Sequence, residues 1–277
     1  MHRFVRSLAT LALLCVATVP ALAQQVPVAV QASGNTATVR IGPAAAPVAD
    51  ISLDFNDAAG LSPSALGVSA EWINVNHGSL LARLPDPVAV GIPSALPLMV
   101  TIEPPLLGGL SFERQVHVEL HTHALAYTAG SRLRLFKAPL GGQFRDITGE
   151  VAPGSVRTRG TTGGFSQFLV VLDLRPTDAV VAEKIAYLRS QIALLGSSEA
   201  MPLGAELDSV EAAVADERFA AANAGIEAMR ARVSARAGLA IPDQWRASRD
   251  VANVAGELQS GLDTLAFSIG FLRDHGP

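Results

Sequence analysis

Four polar residues at alternate positions, His117, Glu119, His121 and His123, come closest in this chain to a pattern that does chemistry. On an extended strand successive side chains point to opposite faces, so alternate residues share a face at about 7 Å, twice the rise per residue. His-x-His at that spacing puts two imidazoles within reach of one metal ion. Zinc needs a third ligand, and an open position besides if it is catalytic. His117, Glu119 or a neighbouring strand would have to supply it, which describes a metal-binding protein or a zinc-dependent hydrolase. The competing reading is a solvated strand face that is rich in histidine and paired with Arg132 and Arg134 on the next run. It is preferred, because an isolated motif is weak support and no second cluster completes the set. His77 and His275 are the only other histidines beyond residue 23.

Other constellations are weaker. Arg132, Arg134, Arg145, Arg157 and Arg159 would hold a carboxylate or phosphate bidentately if they gathered on one sheet face. Alternating arginine also solvates an exposed strand and discourages edge pairing, and that reading is kept. The run Asp54-Phe55-Asn56-Asp57-Ala58-Ala59-Gly60 has its glycine one place late for a calcium loop and no glutamate at the twelfth position, so a turn is expected. Gly164-Phe165-Ser166-Gln167-Phe168 lacks the second glycine of a nucleophile elbow. Phosphate-binding and dinucleotide-binding loops are missing, and nothing marks a carboxylate pair for glycoside hydrolysis. Aromatic content of 5% is low for a surface that stacks sugars, and Trp72 and Trp245 sit in apolar patterns that predict core. The sequence therefore assigns no catalytic residue, no cofactor and no metal ligand.

The elements that position these residues read as short strands. Val116, Val118, Leu120, Thr122 and Ala124 alternate with the histidine face. Ser131–Lys137 alternates again beyond a Gly-containing connection at Tyr127–Gly130, which predicts a hairpin. Gly141-Gly142 and Pro153-Gly154 punctuate runs at Phe144–Ile147 and Ser155–Arg159. Phe165–Leu174 is the most apolar run and is expected at the centre of a sheet. Toward the amino terminus, Val26–Gln31, Thr36–Ile41, Ile51–Phe55, Val68–Val75 and Leu98–Ile102 are β-branched or alternating. Gly34-Asn35, Gly42-Pro43, Asn56-Asp57 and Pro104-Pro105 bound them. Residues 24–175 thus predict an antiparallel β-sandwich, one domain or two sub-modules.

At Arg175-Pro176-Thr177 alanine and a 3.6-residue period take over. Ile185, Leu188 and Ile192 form one stripe, stopped by Gly196; Leu203, Leu207, Val210 and Val214 form a second. Phe219, Ile226, Met229 and Val233 form a third, stopped by Gly238. Pro202 and Pro242 are placed at helix starts, the last helix carrying Trp245, Leu258, Leu262, Leu265 and Ile269. Such stripes need one another, so 176–277 predicts an antiparallel helical bundle. The fold class is α+β in two segregated parts.

Two resemblances enter at these residues. The string VELHTHALAYTAGSRLRLFKAP, with the tract up to Arg175, resembles an uncharacterised family of exported bacterial proteins. That likeness implies a fold and a compartment but no activity. The segment Leu203–Trp245 is similar to the FIMAH domain, a small helical module of secreted bacterial proteins, which brings no catalytic residues.

Composition bounds the rest. A chain of 277 residues with 49% hydrophobic and 17% charged residues can bury a sizeable core. A net charge of −4 gives no reason to expect nucleic acid as a partner. Beyond Arg175 nine cations face fourteen anions, an excess that keeps a helical surface soluble. Residues 1–23 read as a signal peptide: Arg3 and Arg6, an apolar run from Leu8 to Val19, and Ala21-Leu22-Ala23 before the cut at Gln24. The apolar run is shorter than the ~20 residues of a membrane span. Cys15 lies inside it behind Leu14, which disfavours a lipid anchor, and cleavage leaves a mature chain without cysteine. The expectation is an exported, non-catalytic protein that binds or assembles at the bacterial envelope, in the periplasm or outside, with an unknown protein or envelope component as partner.

Overall fold

The computed structural model describes residues 24–152 and 155–277; the leader expected over 1–23, its Cys15 and the Pro153-Gly154 turn lie outside the described residues. The period-two alternation is realised as two seven-stranded antiparallel sheets, with strands numbered in chain order. The first runs β1 (Gln24–Val26), β5 (Val68–Trp72), β7 (Leu98–Ile102), β13 (Gln167–Asp173), β9 (Leu133–Ala138) and β10 (Arg145–Asp146), with β6 (Val90–Gly91) pairing on β13. The second runs β11 (Thr148–Ala152), β12 (Ser155–Thr162), β8 (Ser111–Ala126), β4 (Ala49–Ala59), β3 (Thr36–Ile41) and β2 (Val28–Ser33). Short α1 (Pro63–Leu66) and α2 (Gly78–Leu81) lie in connections.

The inner faces meet in one core. Val39, Ile51, Leu53, Val116, Val118 and Leu120 come from one sheet; Val100, Ile102, Leu135, Phe168 and Val170 come from the other. Each such buried side chain contributes about 1.5–3 kcal/mol. β13 is interior, as its apolar run predicts, and it is buried on both faces. Phe168 and Val170 point into the sandwich, while Leu169 and Val171 join Leu84, Val90, Phe136 and Phe144 on the far side.

The hairpin expected from Val116–Ala124 and Ser131–Lys137 does not form. β8 pairs with β4 and β12, and β9 pairs with β13 and β10, so the connection at 127–132 crosses between the sheets. Alternation shows which face is apolar and is silent on the partner. Here Val118 and Leu120 meet Leu133 and Leu135 through the core, as parts of opposite layers. The turn expected at Asp54–Gly60 is also absent. β4 continues to Ala59 across a bulge between Phe55 and Asp57, which lets Asp57, Ala58 and Ala59 pair with Glu113, Phe112 and Ser111.

Four helices follow: α3 (Thr177–Ile192), α4 (Ser197–Ala215), α5 (Phe219–Arg236) and α6 (Val254–His275). Their stripes share a second core of Leu188, Leu203, Leu207, Ile226, Met229, Leu262 and Leu265. Two starts differ from expectation. Pro202 lies inside α4, because the turn before it is fixed by the buried Glu199, which accepts from Arg232 at 3.2 Å and Arg236 at 2.8 Å. Pro242 opens no helix. Gln244–Arg246 forms β14, paired with β8, and Trp245 enters the sandwich core, stacked on Phe112 at 5.0 Å and edge-on to Phe165 at 5.4 Å.

α6 packs against α3 and α5 and also against β8, β11 and β12, which explains a helix that is apolar on more than one side. Its entry is pinned at a strained residue of β8. Arg114 adopts φ 55°, a left-handed conformation uncommon without glycine. Its N–H donates to the Asp243 carbonyl at 2.6 Å, and its carbonyl accepts from Asn253 Nδ2. Asn253 also donates to the Gly163 carbonyl at 2.9 Å and caps α6 by accepting from Gly256 N at 2.9 Å. A Cβ on Gly256 would lie 1.9 Å from the Arg114 oxygen, so only glycine permits this approach. Asn253→Ala removes a cap and strands two carbonyls, an expected loss of about 2–4 kcal/mol. Denaturant unfolding of the variant should show it as a lower midpoint with an unchanged slope.

Candidate functional site

The histidine strand is placed as the alternation requires, with His117, Glu119, His121 and His123 on the outer face of β8. The register sets His117 between Asp54 and Thr161, Glu119 between Ser52 and Arg159, and His121 between Asp50 and Arg157. Glu119 is an ion-pair partner of Arg159 at 2.5 Å and Arg157 at 3.5 Å, and Arg159 also reaches Glu150 at 2.8 Å. His121 and His123 meet edge to face with ring centroids 4.8 Å apart. The pKa of His121 is lowered by desolvation, then by the charges of Arg157 and His123. Among the described residues, no group of three or more His, Cys, Asp or Glu side chains is arranged to hold a metal ion.

The five arginines divide between two places. Arg157 and Arg159 stay with Glu119 on the open sheet face. Arg134 and Arg145 lie on strands of the other sheet and Arg132 on the connection just before β9; all three meet helix residues, and none pairs across a hairpin with the histidines. Arg134 is buried, its guanidinium 4.5 Å from the Phe271 ring centroid and 5.2 Å from that of Phe267. Arg132 stacks on Phe271 at 5.1 Å and donates to Thr177 Oγ1 at 3.2 Å.

The densest chemistry lies where sheet and bundle meet, around the only two lysines of the chain. Lys137 and Lys184 are each 5% exposed. Lys184 of α3 places its ammonium 2.7 Å from Asp146, 2.8 Å from Ser268 Oγ and 3.0 Å from the Thr264 carbonyl. Burial depresses its pKa against the pull of Asp146. Burial alone would raise the Asp146 carboxyl, but Lys184 and Arg134 override it and hold it below its usual range.

Lys137 of β9 donates to Thr162 Oγ1 at 2.5 Å and to Glu257 Oε1 at 3.3 Å. Glu257, in the first turn of α6, accepts on its other oxygen from Arg145 at 2.5 Å and from the Tyr187 hydroxyl at 2.6 Å. The Arg145 guanidinium lies over the Tyr187 ring, 4.0 Å from its centroid. Burial lowers the pKa of Lys137 to about 8, with Glu257 opposing the shift. Burial would raise Glu257, yet Lys137 and Arg145 bring it down to about 2. Desolvation and the Glu257 charge push the Tyr187 phenol well above its ordinary value.

This network floors an open cleft of about 670 Å³ between sandwich and bundle. Trp245, Phe165, Leu140 and Val251 line it, together with Arg249 and Glu103. Arg249 lies 4.6 Å over the Trp245 ring and donates to Glu103 at 2.6 Å; Ser166 donates to the same carboxylate at 2.9 Å. Thr162, which accepts from Lys137, donates in turn to the Gly164 carbonyl at 2.8 Å and so shapes the Gly163-Gly164 wall. A Cβ at Gly164 would stand 2.9 Å from Trp245 Nε1. Sequence reading singled out Arg145, Ser166 and Trp245 but did not join them, and it missed Lys137, Tyr187, Glu257, Arg249 and Glu103 as a site. The available signal was rarity: two lysines beside nineteen arginines.

A family described as a family of unknown function (DUF6689) matches residues 10–273. No characterised protein and no solved structure matches the chain.

Both shifted groups make stability rise with pH, each in its own window. Glu257 sits below its unfolded 4.5, so its contribution is full above pH 4.5 and is lost as pH falls toward 2. Lys137 sits below its unfolded 10.5, so the folded state releases that proton first, and its contribution rises between pH 8 and 10.5. In Glu257→Gln the acid limb should flatten and Lys137 should titrate lower, having lost its largest attractive partner. Carbon-13 NMR of labelled lysine checks this, with two resonances assigned through Lys137→Met.

Proposed function

We propose that this chain, which belongs to the DUF6689 family of unknown function, is an exported, non-catalytic binding protein of the bacterial envelope that takes a small ligand in the cleft between sandwich and bundle. The observation that carries the reading is the cleft itself. Its volume of about 670 Å³ falls in the range of small-molecule sites, and apolar walls surround a few convergent charges. Its polar groups are engaged as holders rather than as reactants. Glu257 accepts from three donors, Glu103 accepts from Arg249 and Ser166, and no histidine lines the cleft to activate the Ser166 hydroxyl. The leader signature of residues 1–23 supports export, and the likeness of Leu203–Trp245 to the FIMAH module fits a helical part without chemistry of its own. The alternative, zinc at His121 and His123, is supported less, because Glu119 is taken by two arginines.

Export predicts that the protein expressed with its leader is recovered from the periplasm or medium with Gln24 as its first residue by intact mass; an uncleaved cytoplasmic product removes that half of the reading. For the cleft, a ligand-observed NMR screen of small molecules compares the protein with Ala252→Trp, a substitution on the exposed rim that fills the space. Binders lost in the variant are cleft ligands, and a screen that yields none removes the binding half.

A further inference from the structure

We propose, building on the cleft as a ligand site, that it selects small organic acids: one carboxylate held by Arg145, Lys137 and Arg249, with an apolar body against Trp245, Phe165, Leu140 and Val251. Charge is the first argument. Three cations and two anions line the cleft, Lys137, Arg145 and Arg249 against Glu103 and Glu257, which leaves one positive charge for a ligand to neutralise. Lys137 and Arg145 share the one carboxylate of Glu257, so a monoanion complements the excess charge and a cationic ligand is disfavoured.

Donor accounting is the second. A guanidinium carries five N–H donors and an ammonium three. Among the described residues, Arg145 gives one bond to Glu257, Arg249 gives one to Glu103, and Lys137 gives two, to Thr162 and Glu257. The carboxylates beside them are more fully used: of about four lone-pair sites each, Glu257 holds three donors and Glu103 holds Arg249 on one oxygen and Ser166 on the other. Spare capacity in the cleft is therefore chiefly donor capacity, which an incoming group meets by bringing acceptors. Both guanidiniums already lie over an aromatic ring, at 4.0 Å and 4.6 Å, and in an ion pair, so little side-chain freedom is lost when they close on a carboxylate.

The walls supply the third. Trp245 and Phe165 stand edge to face at 5.4 Å and continue into the sandwich core through Phe112. They form a rigid apolar surface beside the cations, which suits an acid with an aryl or alkyl body better than a bare inorganic anion.

The test is calorimetry with benzoate, 3-phenylpropionate and octanoate, each against its primary amide, together with inorganic phosphate. At least one acid should bind saturably and at least tenfold more tightly than its amide, since charge-assisted bonds are about twice as strong as neutral ones. Phosphate should bind at least tenfold more weakly than that acid. Arg249→Gln, on a partly exposed side chain, should weaken the acid about tenfold and the amide less, so that the preference for the acid narrows. Equal binding of acid and amide, phosphate binding as tight as the acid, no binding by any acid, or no effect of Arg249→Gln overturns the proposal. If the screen with Ala252→Trp returns cleft ligands that are all neutral, this inference fails alone; if it returns none, the binding reading falls with it.

Discussion

A carboxylate sunk between a sheet and a helix is the constraint on which the rest of this structure depends. Glu257 enters the junction from the first turn of α6, and an ionised carboxylate there is tolerated only when paired and hydrogen-bonded. Lys137 and Arg145 from adjacent strands and Tyr187 from α3 meet that need together. Removing one partner of a buried pair costs about 3–5 kcal/mol, because the survivor is left desolvated and alone. Two strands and two helices are thereby committed to one relative placement. Apolar contact alone would not fix it, since leucine and valine surfaces slide past one another at little cost. The second pair, Lys184 with Asp146, repeats the arrangement with the direction reversed, a helix donating to a strand.

The division of labour between lysine and arginine follows from their shapes. Arginine is planar, stacks on rings and stays charged, and it is used where a cation meets an aromatic face: Arg134 on Phe267 and Phe271, Arg145 on Tyr187, Arg249 on Trp245. Lysine presents a compact charge with three donors on a thin stem. It appears only where an ammonium must reach between close-packed elements toward a carboxylate and hydroxyls. The same compactness lets desolvation move its proton affinity, which the delocalised guanidinium resists.

How much was legible in the sequence follows from the range of each interaction. Alternation at Val116–Thr122 and the 3.6-residue stripes around Leu188, Leu207 and Ile226 are local, and they were read correctly as strand and helices. Strand partnership is not local. The alternating run after Gly130 serves the opposite sheet as well as it would a hairpin, and nothing in Ser131–Lys137 distinguishes the two. Trp245 was read as core correctly but in the wrong core, because an apolar spacing compatible with a helix also fits a three-residue strand that seats one large ring. The site was least legible. Lys137 and Arg145 lie 120 and 112 positions from Glu257, and a charge that will be buried looks the same in sequence as one that will be solvated. The histidine face has the same limit, its spacing being visible while the arginines that occupy Glu119 come from another strand.

The cleft is a consequence of how the junction is held. Polar pairs need their donors and acceptors at bonding distance, and they set the gap between sheet and helix near their own length. Over Phe267 and Phe271 the gap is filled by Arg132 and Arg134 lying on the rings. At the other end of α6 the helix begins only at Val254, after β14 and the run through Arg249 and Ala252 have crossed the edge of the sandwich. No side chain there replaces the missing turn, so Glu257 and its cations meet an opening instead of a neighbour. The wall of that opening is fixed from beneath by Phe112, Phe165 and Trp245, three rings of the sandwich core. Rigid apolar walls belonging to one part of the fold and ordered charges belonging to the seam between the two are what a small amphiphilic ligand requires. Neither part could form such a place alone.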